Sequence, residues 1–275
     1  MTIRCLAKVA ADDETPDSLL NDGEPPPFTV DNETGTSPFL IVADHAGKYL
    51  PRRLGRLGLS NAECRRHIAW DIGIGAVCSL IGTALDAVVI RQNYSRLVID
   101  CNRTPGSETS IVGLSELTRV PGNIGLSESH KVDRVREIFQ PYHDRITTEL
   151  DQRRETGRPT ALISMHSFAP VFKTVARLWH VGVLYNRDPR FAHALMELLH
   201  REEGLVIGDN EPYDVTDASD YTIPVHGEQR KLHHVAIEIR QDLITDEASQ
   251  RMWAALVVRL LPKAYQRFIR PQVPK

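Results

Sequence analysis

Short apolar runs with little polar alternation recur along the chain, each followed by a polar or glycine-containing break. Residues 39–42 (FLIV) are the first such run, which halts at Asp44 and His45 before Gly47 and Pro51. A run of that length suits a strand buried on both faces of a parallel sheet. Residues 161–167 (ALISMHS) repeat the design and again end on a histidine beside a small polar residue. Further strands are expected at 86–91, 97–100, 179–185, 205–207 and 233–240. Between them, Ser60 and Glu63 form a capping-box pattern that predicts a helix running toward Leu85. Val132, Val135, Phe139, Tyr142, Ile146 and Leu150 recur at helical steps from a start near Ser127, with Pro141 expected to bend that helix. Residues 189–201 and 246–268 complete the helices, the last with Met252, Leu256, Leu260, Ala264 and Phe268 at four-residue steps. Strands alternating with helices predict an α/β domain, a mixed and mostly parallel sheet with helices on both faces in three layers. That single domain is expected over 37–275, after an extended lead-in, 1–36, rich in Asp, Glu, Pro and Thr. Residues 104–125 and 208–230 read as long polar loops, the second stiffened by Pro212 and Pro224 as a lid would be.

Composition narrows the picture modestly. A chain of 275 residues, 41% of them hydrophobic, can bury a sizeable core in one domain. The net charge of −3, without long runs of one sign, argues against nucleic acid or a membrane surface as main partner. No stretch approaches the ~18 uninterrupted apolar residues of a membrane span, and the N-terminus lacks the apolar region of a secretory signal. A cytoplasmic protein is the expectation. Cys5, Cys64, Cys78 and Cys101 form no C-x-x-C pair, so reduced and inert thiols are expected rather than a thiolate metal site.

The strand-tip histidines carry the candidate chemistry. His45 and His166 can converge only if both strands lie in one sheet, and neutral imidazole is the commonest ligand for zinc. A catalytic zinc site takes three protein ligands and keeps a position open. Lys48 occupies the place an H-x-x-E ligand would take, so Asp71 is the expected third ligand, on a helix leaning over the strand tips. His67, one turn earlier, could orient it, and Asp44 is the fallback. In residues 234–240, Val235, Ile237 and Ile239 face one side of a strand, and Glu238 and Arg240 the other. A carboxylate late in a buried strand is costly unless paired or used, which makes Glu238 the candidate general base acting on a metal-activated water. Asn102 and Arg103 suit the anchoring of a substrate carboxylate, with Arg96 nearby as a second cation. Asn210, Tyr213 and His226 in the later loop, and Arg240, are further candidates for shaping the substrate pocket. Gly73 and Gly75 lack the third glycine of a nucleotide loop and sit inside the expected helix, so that reading is discarded.

Several segments together resemble the N-formylglutamate amidohydrolase family: ADHAGKYLP (43–51), HIAWDIGIGA (67–76), SRLVIDCNR (95–103), PYHDRI (141–146), SMHS (164–167), GDNEPYDV (208–215) and VAIEIRQDLI (235–244). The resemblance implies a hydrolase-type α/β fold similar to that of zinc carboxypeptidases and aspartoacylases. It implies metal-dependent hydrolysis of an amide on a small N-acyl acidic amino acid such as N-formyl-L-glutamate. Asp100, Asn102 and Arg103 are similar to the D-x-N-R motif that holds the substrate carboxylate, and Glu238 falls where the general base would. Asp44 stands where family members tend to have proline. Zinc is the expected cofactor, with other divalent transition metals compatible with the ligand set. A non-catalytic binding protein for a carboxylated metabolite, and an aspartoacylase-like or peptide hydrolase, are the alternative readings. Oligomeric state is left open.

Overall fold

Burial on both faces is what turns the apolar runs into strands. The computed structural model describes residues 18–269 and arranges seven strands in one sheet. In chain order they are β1 (Phe28–Asp31), β2 (Phe39–Ala43), β3 (Val88–Gln92), β4 (Ala161–Phe168), β5 (Val181–Leu184), β6 (Ile207–Asp209) and β7 (His233–Arg240). Their spatial order is β1-β3-β2-β4-β7-β5-β6, with β1–β3 and β7–β5 antiparallel and the other pairs parallel. The expected three-layer α/β architecture with a mixed, mostly parallel sheet is therefore present.

Phe39, Ile41 and Ala43 of β2, Ile163 and Met165 of β4, and Val235, Ile237 and Ile239 of β7 face one helix layer. That layer is α1 (Ile74–Leu85) with two later helices, Arg190–Leu199 and Glu247–Ile269. Leu40, Val42, Leu162 and Ala236 face the other layer, which is built on a long helical segment between β3 and β4. There Ser127 caps α2 (Glu128–Arg134) by accepting from the His130 amide. A single π-helical turn, Val135–Phe139, joins α2 to α3 (Gln140–Glu155). Pro141, which has no amide hydrogen, is absorbed by that wide turn rather than by a sharp kink. Two α-helices follow, α4 (Arg190–Leu199) and α5 (Glu247–Ile269), with a π-helical segment, Ile223–Glu228, between them.

Three sequence expectations are corrected. The capping box does form, with the Ser60 amide and hydroxyl both donating to Glu63 (2.8 and 2.6 Å), but it caps one 3-10 turn only, Glu63–Arg65. The chain then unwinds because the Asp71 amide bonds to the His45 carbonyl at 2.8 Å and Gly73 takes a left-handed φ of 82°. Asp71 therefore precedes α1 instead of riding on a helix. Residues 97–100 are buried but pair with no strand; Asn123 donates to the Leu97 carbonyl and Arg134 to the Val98 carbonyl, each at 2.8 Å. Those side chains replace a ladder, which a run of apolar residues cannot reveal. The lead-in supplies the edge strand β1 against β3, while its residues 1–17, including Cys5, lie outside the described part. Cys64, Cys78 and Cys101 are free thiols. No helix among the described residues is long and apolar enough to cross a membrane.

Candidate metal centre and catalytic pocket

The chain leaves β2 to reach β3 on one side, whereas β4 neighbours β2 on the other. Such a reversal opens a crevice at the carboxyl ends of the two strands, where open α/β sheets bind ligands. His45 lies just past β2, and His166 lies on β4 with its side chain on the same face as Leu162. The two rings meet there: the Nδ1 atoms of His45 and His166 are 3.2 Å apart. Asp71 Oδ2 lies 3.1 Å from His166 Nδ1 and 3.6 Å from His45 Nδ1. Three protein donors around a zinc-sized ion with bonds of about 2.05 Å would stand roughly 3.3 Å apart at tetrahedral angles. The cluster matches that spacing without rearrangement.

Each ring is held from behind. Asp100 accepts from His45 Nε2 at 2.7 Å. His166 Nε2 faces Ser164 Oγ at 3.0 Å and Asp44 Oδ2 at 3.3 Å. Carboxylates on the outer nitrogens fix the tautomer that leaves Nδ1 free to ligate. Asp44 also accepts from the Tyr142 and Thr222 hydroxyls at 2.9 and 2.8 Å, so the fallback ligand is a buried anchor behind His166. Asp71 accepts from the Ser167 amide at 3.2 Å, which ties its loop to β4. A Cβ on Gly73 would come within 2.2 Å of the Ile244 carbonyl, so the turn that presents Asp71 needs glycine.

The electrostatics favour a cation. Burial opposes charge on His45 and His166, yet Asp100, Asp44 and Asp71 outweigh it and raise both imidazoles, His166 well above its usual range. Burial likewise works against the Asp71 carboxylate, but His45 and His166 hold it well below the usual range. Glu238 pairs with His166 in the β4–β7 register, lines the same cavity, and has an Oε2 without a partner. Burial, only partly offset by His166, pushes its pKa up to about 7. The donor set of two imidazoles and a carboxylate fits a divalent ion.

The cavity holds about 390 Å³ and is lined by Arg96, Asn102, Arg103, Tyr213 and Glu238 as well as the three donors. Arg96 donates to Asp100 Oδ2 through Nε and Nη2, at 3.1 and 2.7 Å. Arg103 lies 3.7 Å from Asp220 and is a quarter exposed. His67 Nδ1 stands 3.9 Å from Asp71 Oδ1, beyond hydrogen-bond reach, so the two are neighbours without a bond between them.

Four expected pocket residues have other positions or duties. Asn102 lines the cavity, but its Oδ1 accepts from the Tyr221 and Thr222 amides and its Nδ2 donates to Asp220. Asn210 accepts from the Tyr185 amide and does not line the cavity. His226 points away from it, donating from Nε2 to His143 Nδ1 at 2.9 Å, while His143 Nε2 donates to the Cys101 carbonyl at 2.7 Å. Arg240 binds Asp242 and the carbonyls of Arg177, Leu178 and Trp179. In each case the polar atoms are engaged by backbone or side-chain partners that no motif spacing discloses. Arg177, which reaches the pocket wall through Tyr213, escaped the sequence reading because it lies on an undistinguished hairpin.

A family model described as N-formylglutamate amidohydrolase matches residues 37–245. Among solved structures, a gene product of Agrobacterium tumefaciens is similar with a TM-score of 0.89 and 32% identity, over 92% of this chain and 100% of that one. An N-formylglutamate amidohydrolase from Ralstonia eutropha is similar with a TM-score of 0.64 and 18% identity, over 88% and 99% of the two chains. At that identity the second likeness speaks for the fold. No curated protein matches the chain.

Proposed function

The chain belongs to the N-formylglutamate amidohydrolase family, hydrolases acting on amide bonds, and from that premise we propose that it removes the N-acyl group, formyl first, from an acidic amino acid such as N-formyl-L-glutamate. His45 Nδ1, Asp71 Oδ2 and His166 Nδ1 would hold one divalent ion, zinc by the chemistry of the donor set. Such an ion supplies Lewis acidity to the amide carbonyl and makes an adjacent water acidic near neutral pH. Glu238 takes the proton of the attacking water at its unpartnered Oε2 and returns it to the leaving amine. The burial of Glu238 in the pocket favours uptake of that proton. Arg103 anchors one substrate carboxylate from the rim. Asp100 and Asp44 hold the two imidazoles in register, and Arg96 braces Asp100.

The observation that carries this reading is the convergence of three donor atoms, all within 4.8 Å of one another, beside an unpaired buried glutamate. Elemental analysis of the purified protein, with a release assay on N-formyl and N-acetyl derivatives of Glu, Asp and Gln, tests it. Glu238→Gln is expected to keep its metal and to lose roughly 10²–10⁴ in kcat. Near-normal turnover in that variant would remove Glu238 from the mechanism, and a metal-free active protein would remove the cation.

A further inference from the structure

Arg177 is 8% exposed and forms no ion pair with a carboxylate among the described residues. Its neighbours are aromatic instead: its Cζ lies 4.6 Å from the Tyr213 ring centroid, 4.7 Å from that of Phe172 and 5.7 Å from that of Phe168. Stacking on rings lowers the cost of burying a guanidinium but leaves its charge unneutralised. The cations that line the cavity directly already face carboxylates, Arg96 at Asp100 and Arg103 at Asp220. Arg177 is thus a positive charge beside the pocket that no carboxylate among the described residues neutralises.

The link to the cavity is Tyr213. Arg177 Nη1 donates to the Tyr213 oxygen at 2.7 Å, and Tyr213 itself lines the pocket and is 37% exposed. An oxygen that accepts from a guanidinium has its own hydrogen free, and the cation makes that hydrogen a stronger donor. Two further contacts hold the pair in place. Arg240 grips the Arg177 carbonyl at 3.2 Å, and the Glu211 carbonyl, two residues before Tyr213, sits where a Cβ of Gly182 would otherwise stand.

We propose that Tyr213, positioned and polarised by Arg177, reads the side-chain carboxylate of the substrate, while Arg103 holds the other carboxylate. The inference rests on the amidohydrolase reading and names what selects an acidic over a neutral amino acid. Arg177 is a positioning residue in this scheme; Tyr213 makes the contact. A phenol donates to a carboxylate roughly twice as strongly as to the carbonyl of an amide of the same shape, so a larger loss on the acid than on the amide is the signature.

The test compares N-formyl-L-glutamate with its neutral isostere N-formyl-L-glutamine on the full chain, as wild type, Tyr213→Phe, Arg177→Met, the double variant of these two, and Arg177→Lys. Tyr213→Phe and Arg177→Met are each expected to raise KM for the acid about 10- to 100-fold and KM for the amide by a clearly smaller factor, with kcat changing less than KM for the acid. The double variant is expected to lose no more than either single one, because one hydroxyl carries both effects. Arg177→Lys, which keeps charge and donor, restores part of the preference. Equal losses on both compounds, a change confined to kcat, or full additivity would overturn the proposal. If the wild type hydrolyses neither compound, the substrate reading fails. Calorimetric binding of L-glutamate against L-glutamine to the same five proteins then still decides whether the pair reads charge.

Discussion

At the scale of single residues, the pocket is defined by which nitrogen of each imidazole is already taken. Asp100 engages His45 from outside, so Asp100→Asn keeps the shape but weakens the hold on the tautomer. We expect a 10- to 100-fold loss of metal affinity, roughly, from that change, read by competition with a chromophoric chelator. Unchanged affinity would relegate Asp100 to packing. His143 and His226 present the opposite case, two stacked imidazoles kept neutral. Burial lowers them to about 4 and about 3. The unfolded chain takes up protons at both from about pH 6.5 downward, whereas the folded one does so only near the lowered values. Stability therefore falls as the pH drops from about 6.5 toward 4, by an estimated 2–3 kcal/mol for each ring. In metal-saturated protein, the urea midpoint of His226→Gln is expected to fall less over that range than that of wild type. Parallel profiles would sink the assignment. The histidines at 45 and 166 were legible because each ended an apolar run. His226 was misplaced because its partner, His143, which is itself held by the Cys101 carbonyl, comes from a segment far away in sequence.

At the scale of elements, two glycines set where functional loops can go. Gly182 lies in β5 opposite Glu238, and its missing Cβ makes room for the Glu211 carbonyl. Gly182→Ala would push the Tyr213 loop outward, and we expect it to raise KM for an acidic substrate while the fold, checked by circular dichroism, persists. An unaltered KM would show that the loop yields without moving Tyr213. The hairpin of Val171–Phe172 and Val175–Ala176 that precedes Arg177 turns through Lys173 and Thr174, both at positive φ (46° and 73°). Such turns favour Asn-Gly, and a β-branched residue there is strained. Thr174→Gly is expected to raise stability by up to about 1 kcal/mol, seen as a higher melting temperature. A lower one would contradict the strain. Strand and helix identities were readable wherever burial imposed a period, as in β7, whose bounds coincide with the expected run. The unwinding at Asp71 was not, since it depends on a bond to the His45 carbonyl and on the left-handed Gly73.

At the scale of the whole molecule, the sheet order brings together donors that the chain keeps apart: 121 residues separate the two histidines, and 95 separate Asp71 from His166. Sequence reasoning could reach this arrangement because a parallel sheet collects the carboxyl ends of its strands on one edge. The antiparallel insertion of β5 beside β7 and the edge role of β1 follow from long-range pairing with no local signal. An ion that binds the folded form stabilises it by about 2.7 kcal/mol at 100-fold excess over Kd. Chelation is accordingly expected to lower the melting temperature by several degrees, reversibly, and to have no such effect on His45→Ala. A melting temperature indifferent to chelator would argue that the cluster holds no ion. The same wiring would make a bound ion a clasp on the chain, closing long loops that would otherwise cost entropy to keep shut. The stretch 66–73, which swings Asp71 into place, would be the first to come undone in metal-starved protein. Its amides would exchange early and a protease would nick it there, while β4 stayed protected.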